Sequence, residues 1–299
     1  MRADRNAIRR TGAVGSLTVA CTAVLACSTI AQVPSAPETL AVRSGALTLR
    51  ALVWRPTVGA RHPAVLFNHG SYSAADSAQV SDPALLGPVF ARHGYVLMLL
   101  YRQGIGLSRG SGAADGDQMA HALAAEGTEA RNRVQLALLQ GEELDEVRAA
   151  LTLLRARADV DPQRVAVIGH SFGGALSLLL AARDTMVRAA VVFGAAAASW
   201  DQSPKLRARL LEAVDRTRAA VLLIHAVNDY STTPGKALDA EMRRAAKVHE
   251  LKIYPAFGTT TRQGHNFLFH DIATWESDVF DFLAAHLRSS NEARPGTKR

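Results

Sequence analysis

The chain has 299 residues, 48% of them apolar and 20% charged, with a formal net charge of +7. This composition excludes a disordered or fibrous chain and suits one large globular domain. Much of the charge sits at the start: without the four cations Arg2, Arg5, Arg9 and Arg10 and the anion Asp4, the balance falls to +4. That is too little to argue for a nucleic-acid or membrane-surface partner.

Thr11 to Ala26 carries no charged residue and follows this basic stretch, as in a secretory leader, and is short for a bilayer span. Val24-Leu25-Ala26-Cys27 resembles a bacterial lipobox, in which cleavage exposes a cysteine for acylation, although Leu25 stands where a small residue is usual. Thr29-Ile30-Ala31 offers an ordinary cleavage site instead, and Arg9-Arg10 a twin-arginine route. The competing reading is an uncleaved N-terminal helix. The expected organisation is a signal peptide over 1–27, a linker over 28–38, a catalytic domain over 39–289 and a disordered tail over 290–299. Export follows, to the periplasm, the envelope through a lipidated Cys27, or the medium. Both cysteines, Cys21 and Cys27, lie in the leader, which leaves the domain without thiol chemistry.

In chain order, Thr39–Arg43 and Ala46–Trp54 alternate apolar and polar residues around Ser44-Gly45, a hairpin pattern. Ala64–Phe67 is a continuous apolar run ending in Asn68-His69-Gly70-Ser71-Tyr72, as a buried parallel strand would. Pro83–Arg92 is expected to be a helix and Tyr95–Tyr101 the next strand. The glycine loop after it, Arg102 to Gly110, lacks dinucleotide-binding spacing and a ribose-holding acid. Asp115 to Ala158 reads as helix broken near Gly127 and Gly141, with Asp117–Gln140 either a cap over the active site or an extra packed helix. Asp161–Arg164 should turn into the strand Val165–Gly169, followed by a helix over Ser171–Ala182. Strands are expected at Val187–Phe193, Ala219–His225 and Leu251–Tyr254. Thr233 should cap a helix with Pro234 in its first position, and Trp275, Val279, Phe282, Leu283 and Leu287 mark a final amphipathic helix. Alternating strands and helices predict an α/β fold with a mostly parallel sheet.

Gly169-His170-Ser171-Phe172-Gly173 lies between a β-branched run and an alanine- and leucine-rich segment. In that context G-x-S-x-G is a nucleophile elbow, with Gly169 and Gly173 small because the turn is tight. Ser171 needs a base, and the base a carboxylate, in the chain order serine, acid, histidine. His265, after the last strand, is the candidate base and His270 the runner-up; His225, His249 and His286 read as ordinary buried or solvated histidines. Asp229, beyond the Ala219–His225 strand, is the candidate acid over Asp201. The oxyanion needs two N–H donors: Phe172 after the nucleophile, and Ser71 or, through backbone or phenol, Tyr72. His265, His270 and Asp271 do not form a metal-ligand spacing, and neither metal nor cofactor is expected.

Gly-His-Ser-Phe-Gly-Gly, the His69-Gly70 loop, Asn228-Asp229 ahead of Pro234 and Gly264-His265-Asn266-Phe267 together resemble the α/β-hydrolases of the dienelactone hydrolase and prolyl oligopeptidase-like group. The resemblance covers about Thr39 to Leu287. It implies an α/β-hydrolase fold, mostly parallel, with helical insertions, and a Ser171, Asp229, His265 triad. Dienelactone hydrolases proper use a cysteine nucleophile; with Ser171 in its place, lactone chemistry does not carry over. Prolyl oligopeptidase-like peptidases usually bear a propeller domain, for which this chain has no room. The expectation is an exported serine hydrolase acting on a small-molecule carboxylic ester. The alternatives are a peptidase or amidase, or a non-catalytic envelope binding module.

Overall fold

The computed structural model describes residues 36–76 and 79–288. The expected signal peptide, the Cys27 lipobox, most of the linker and the tail lie outside the described residues.

Eight strands form one sheet. They are β1 (Glu38–Ser44), β2 (Leu47–Trp54), β3 (His62–Asn68), β4 (Val96–Tyr101), β5 (Val160–His170), β6 (Val187–Phe193), β7 (Ala220–Ala226) and β8 (His249–Tyr254), in spatial order β1-β2-β4-β3-β5-β6-β7-β8. β1 and β2 are antiparallel, as are β2 and β4; every other pair is parallel. The α-helices among the described residues are α1 (Leu86–Arg92), α2 (Asp115–Glu126), α3 (Thr128–Gln140), α4 (Glu142–Arg155), α5 (Phe172–Arg183), α6 (Pro204–Arg216), α7 (Thr233–Arg244), α8 (Thr261–His265), α9 (Phe267–His270) and α10 (Ile272–His286), with 3₁₀ turns at Gln79–Leu85 and Gly106–Ser111.

Because successive strand residues face opposite ways, each central strand feeds two cores. Leu66, Val167 and Val192 pack with α4, α5 and α6, whereas Phe67, Ile168 and Val191 pack with α1, α9 and α10. Burial on both faces explains why these strands read as unbroken apolar runs. Helix α5 is apolar all round and central, with ten of its twelve residues buried. Helix α10 instead turns the predicted stripe of Trp275, Val279, Phe282 and Leu283 inward.

The breaks foreseen at Gly127 and Gly141 separate α2, α3 and α4, and Gly127 takes φ +82° to make the turn. Met119, Leu138 and Leu139 join the core beside α4 and α5, so 117–140 packs as extra helices on the sheet's flank. Three boundaries differ from expectation. Pro83 sits in a 3₁₀ turn over Gln79–Leu85, and the regular helix starts only at Leu86. β5 begins at Val160 and carries Pro162 beside a register shift against β3, a position where a ladder tolerates proline. Thr233 is the first helical residue of α7 rather than its cap: the Ser231 hydroxyl accepts the Thr233 N–H at 3.1 Å, and Thr232 takes the cap position.

Gly87 of α1 lies against the Trp54 ring, which is only 4% exposed, and a Cβ there would overlap the indole. Gly→Ala in a helix normally gains about 0.5–1 kcal/mol, but overpacking of this kind costs roughly 1–3 kcal/mol. Gly87→Ala should therefore lower stability, read as a reduced urea midpoint at unchanged slope.

Candidate active site

Between β5 and α5 stands the single residue Ser171, at φ 56° and ψ −117°. Holding a non-glycine residue there costs of order 1–3 kcal/mol, and the surroundings over-determine it. The Ser171 N–H donates to the Phe193 carbonyl at 2.8 Å, and its own carbonyl accepts the Ala175 N–H at 3.2 Å. A Cβ on Gly169 would overlap the Gly173 carbonyl, and one on Gly173 would overlap the Asn68 and His69 carbonyls. Both motif glycines are thus required by close backbone approach. The Asn68 side chain also donates to Ser177 Oγ at 2.8 Å, tying the end of β3 to α5.

The acid and histidine candidates come together from 36 residues apart: His265 Nδ1 donates to Asp229 Oδ1 at 2.6 Å. Oδ1 also accepts the Tyr230 N–H at 2.7 Å, while Oδ2 accepts His225 Nδ1 at 2.8 Å. Burial alone would raise the Asp229 pKa, but the bonds from His225 and His265 outweigh it and hold it at about 2. Since a carboxylate only accepts, Nδ1 of His265 carries the proton and Nε2 is left for chemistry.

Asn228 holds the two loops together: its amide donates to the Phe257 and Thr260 carbonyls at 2.9 and 3.0 Å and accepts the Phe257 N–H at 3.0 Å. A Cβ on Gly264 would strike this amide. His265 was placed by the sequence after the last strand, with no helix expected there. It ends the one-turn helix α8 instead, started by a reciprocal Thr260–Gln263 capping box.

His170, the variable residue of the elbow, donates from Nε2 to the His265 carbonyl at 2.8 Å, and its ring lies 4.6 Å from that of His265. Burial, with His265 nearby, pushes its pKa down to about 3, so it serves as a neutral prop. Of the remaining candidates, His270 is exposed and lies 3.6 Å from Asp82, and Asp201 is exposed in a turn. His249 bonds the Lys247 carbonyl and Asp239. His225 is no ordinary core histidine, because it holds the acid's second oxygen. Its signal was its place at the carboxyl end of β7, the same criterion that selected Asp229.

Gly70, Ser71, Tyr72, Ser171, Tyr230 and His265 line one cleft of about 380 Å³. No residue of 117–140 is among its described lining, which answers the cap question in favour of packed helices. The Phe172 N–H opens helix α5, where no intrahelical carbonyl can take it. The Tyr72 backbone donor is a correction: its N–H is committed to Asp115 Oδ1 at 2.9 Å, whereas burial raises the pKa of its phenol and keeps that O–H protonated beside the cleft. Of the loop's backbone N–H groups, Ser71 remains the candidate donor.

A mostly parallel sheet with a strand–turn–helix serine at its centre is the architecture of an α/β-hydrolase. The dienelactone hydrolase family model matches residues 49–286. The chain therefore belongs to the dienelactone hydrolase family and is a hydrolase. Among solved structures it is similar to an Anabaena variabilis dienelactone hydrolase, at 18% identity and TM-score 0.58, covering 86% of this chain and 100% of that one. It is also similar to the Pyrococcus horikoshii acylaminoacyl peptidase, at 13% identity and TM-score 0.61, covering 89% and 43%. A Mycobacterium tuberculosis puromycin-hydrolyzing peptidase matches at 17% identity and TM-score 0.59, covering 84% and 39%. The chain thus spans less than half the length of these two peptidases.

A carboxyl held at about 2 in the fold, against about 3.9 unfolded, contributes stability above pH 4 that is lost as pH falls toward 2. Asp229→Asn should cost roughly 2 kcal/mol at pH 7, and denaturant titrations should show the gap closing between about pH 4 and pH 2.

Proposed function

We propose that this chain is a serine hydrolase that cleaves a carboxylic ester through an acyl-enzyme on Ser171. The observation that carries the reading is the 2.6 Å bond between Asp229 and His265, with the imidazole lining the same cleft as the elbow serine. Ser171 Oγ attacks the ester carbonyl while His265 Nε2 takes the hydroxyl proton. The N–H groups of Phe172 and Ser71 bind the resulting oxyanion. Collapse expels the alcohol, which receives the proton from His265. Water then attacks the acyl group, His265 takes its proton and returns it to Ser171, and the acid leaves. Asp229 holds the imidazole tautomer and stabilises its cation.

Purified protein should hydrolyse p-nitrophenyl acetate or butyrate and be labelled by a fluorophosphonate. Ser171→Ala should lower kcat by at least about 10⁴-fold and abolish labelling. A folded wild-type protein with neither property would defeat the reading. The same machinery serves amides, and the similarity to peptidases keeps that alternative in view. Preference for aminoacyl-anilides over short acyl esters, measured as kcat/KM, would select it. A non-catalytic module would usually have lost a triad member, and all three are present here.

We propose also that the enzyme is exported, on the leader composition and the lipobox-like Cys27. N-terminal sequencing of the mature protein should find residues 1–26 removed, and Cys27→Ala should abolish incorporation of labelled palmitate. A retained Met1 would contradict export.

A further inference from the structure

Arg102 follows β4 directly and is wholly buried, a position that calls for partners on every side. Its Nη1 donates to the His69 carbonyl at 2.8 Å and its Nη2 to the Gly70 carbonyl at 2.9 Å. Nη2 also meets Asp115 Oδ2 at 2.8 Å, and Nε lies 2.6 Å from Glu143 Oε2. The guanidinium carbon sits 5.2 Å from the centre of the Phe172 ring. One side chain thus touches both segments that supply the oxyanion donors.

We propose that Arg102 is a positioning residue for the oxyanion site, turning the Ser71 N–H toward Ser171 by holding the Gly70 carbonyl in the core. The inference rests on the ester-hydrolase reading above. A trans peptide is planar, with C=O and N–H on opposite sides. The Gly70 carbonyl faces Arg102, so the Ser71 N–H of the same peptide faces away from the core. Gly70 itself abuts the nucleophile: a Cβ on it would lie 3.5 Å from Ser171 Cβ.

The next peptide is held the other way round. The Tyr72 N–H faces inward to Asp115 Oδ1, and that carboxylate is the one Arg102 grips through its other oxygen. His69 closes the network. The Arg102 backbone N–H donates to Nε2 at 3.2 Å, so Nδ1 carries the ring proton and donates to the Gly70 carbonyl at 2.7 Å. Burial and the neighbouring Arg102 push His69 well below its ordinary pKa and keep it neutral. The Gly70 oxygen therefore has two donors on its core side and no freedom to turn the peptide over. A lysine ammonium, as a point donor, cannot reproduce the planar fork that reaches both carbonyls and the carboxylates.

The test uses Arg102→Lys and, as a second variant, Asp115→Asn, which keeps an acceptor for Tyr72 but removes the charge that orients the guanidinium. Active sites are counted by fluorophosphonate titration, so only folded enzyme enters the rates. The expected result on p-nitrophenyl acetate is a kcat about 100-fold lower, with KM within about twofold. Affinity for an aliphatic trifluoromethyl ketone, whose serine adduct carries the oxyanion, should fall in parallel, which a merely structural role would not produce. Unchanged kcat and ketone affinity in the folded variants would overturn the proposal. Amide NMR of the wild-type protein needs no variant: the Tyr72 N–H should resist hydrogen exchange, and the Ser71 N–H should exchange freely and shift on ketone binding. A protected or unresponsive Ser71 N–H would also overturn it. Wild-type enzyme without esterase activity or labelling would defeat the underlying reading instead, while the exchange contrast between Ser71 and Tyr72 would still report on the clamp.

Discussion

At the centre of the sheet the backbone of β5 and the first turn of α5 approach so closely that neither Gly169 nor Gly173 has room for a side chain. The contact extends to a third element, because the space beyond Gly173 is filled by the carbonyls of Asn68 and His69 at the end of β3. Everything chemical in the molecule depends on this approach. It forces Ser171 into a positive-φ conformation, brings the β3 loop against the nucleophile, and opens helix α5 beside it. The strain is held by bonds to β6 and α5 and by the two cores that grip β5 from either face.

The second organising feature is electrostatic. Asp229 is a buried anion with donors on both oxygens, His225 on one and His265 with Tyr230 on the other. Removing a charge from water is costly unless its bonds are made, and here they are. The acid is fixed in position and ionised, and through it the tautomer of His265 is set. Neutral His170 supports the same residue from below through its carbonyl. On the other side of the cleft Arg102 and Asp115 organise the loop that carries Ser71 in a comparable way. Burial there pushes the Glu143 carboxyl up, with Arg102 opposing it, and lifts Glu146 to about 7. Both halves of the site are thus built from buried polar groups arranged so that one group is left for the cleft, the acceptor Nε2 of His265 in one half and the Ser71 N–H donor in the other.

Much of the fold was legible because the relevant signals are local. Uninterrupted apolar runs marked β3 to β7, Gly127 and Gly141 marked the helix breaks, and the glycine spacing around Ser171 marked the elbow. The choice of Asp229 over Asp201, and of His265 over His270, rested on chain order and strand ends, and the structure brings that pair together. What was not legible depends on partners distant in sequence. The place of His225 at the carboxyl end of β7 hinted at a role but not that its ring reaches Asp229, and Arg102 read only as part of a glycine loop until Asp115, Glu143 and the His69-Gly70 carbonyls closed around it. Short elements escaped for a related reason. Helix α8 owes its one turn to a capping box and to Asn228 of the loop after β7, which bonds the Thr260 carbonyl, and the Ser231 hydroxyl bonds the first N–H of α7.

The account's central claim is that bond cleavage passes through Ser171 as a covalent acyl-enzyme. Acid quenching of wild-type protein during turnover of p-nitrophenyl acetate, followed by peptide mass mapping, tests it most directly. The prediction is an acetyl group on the peptide containing Ser171, formed within the first turnover and lost once substrate is consumed. Turnover with no acylated peptide, or with the acyl group on a different residue, would contradict the account.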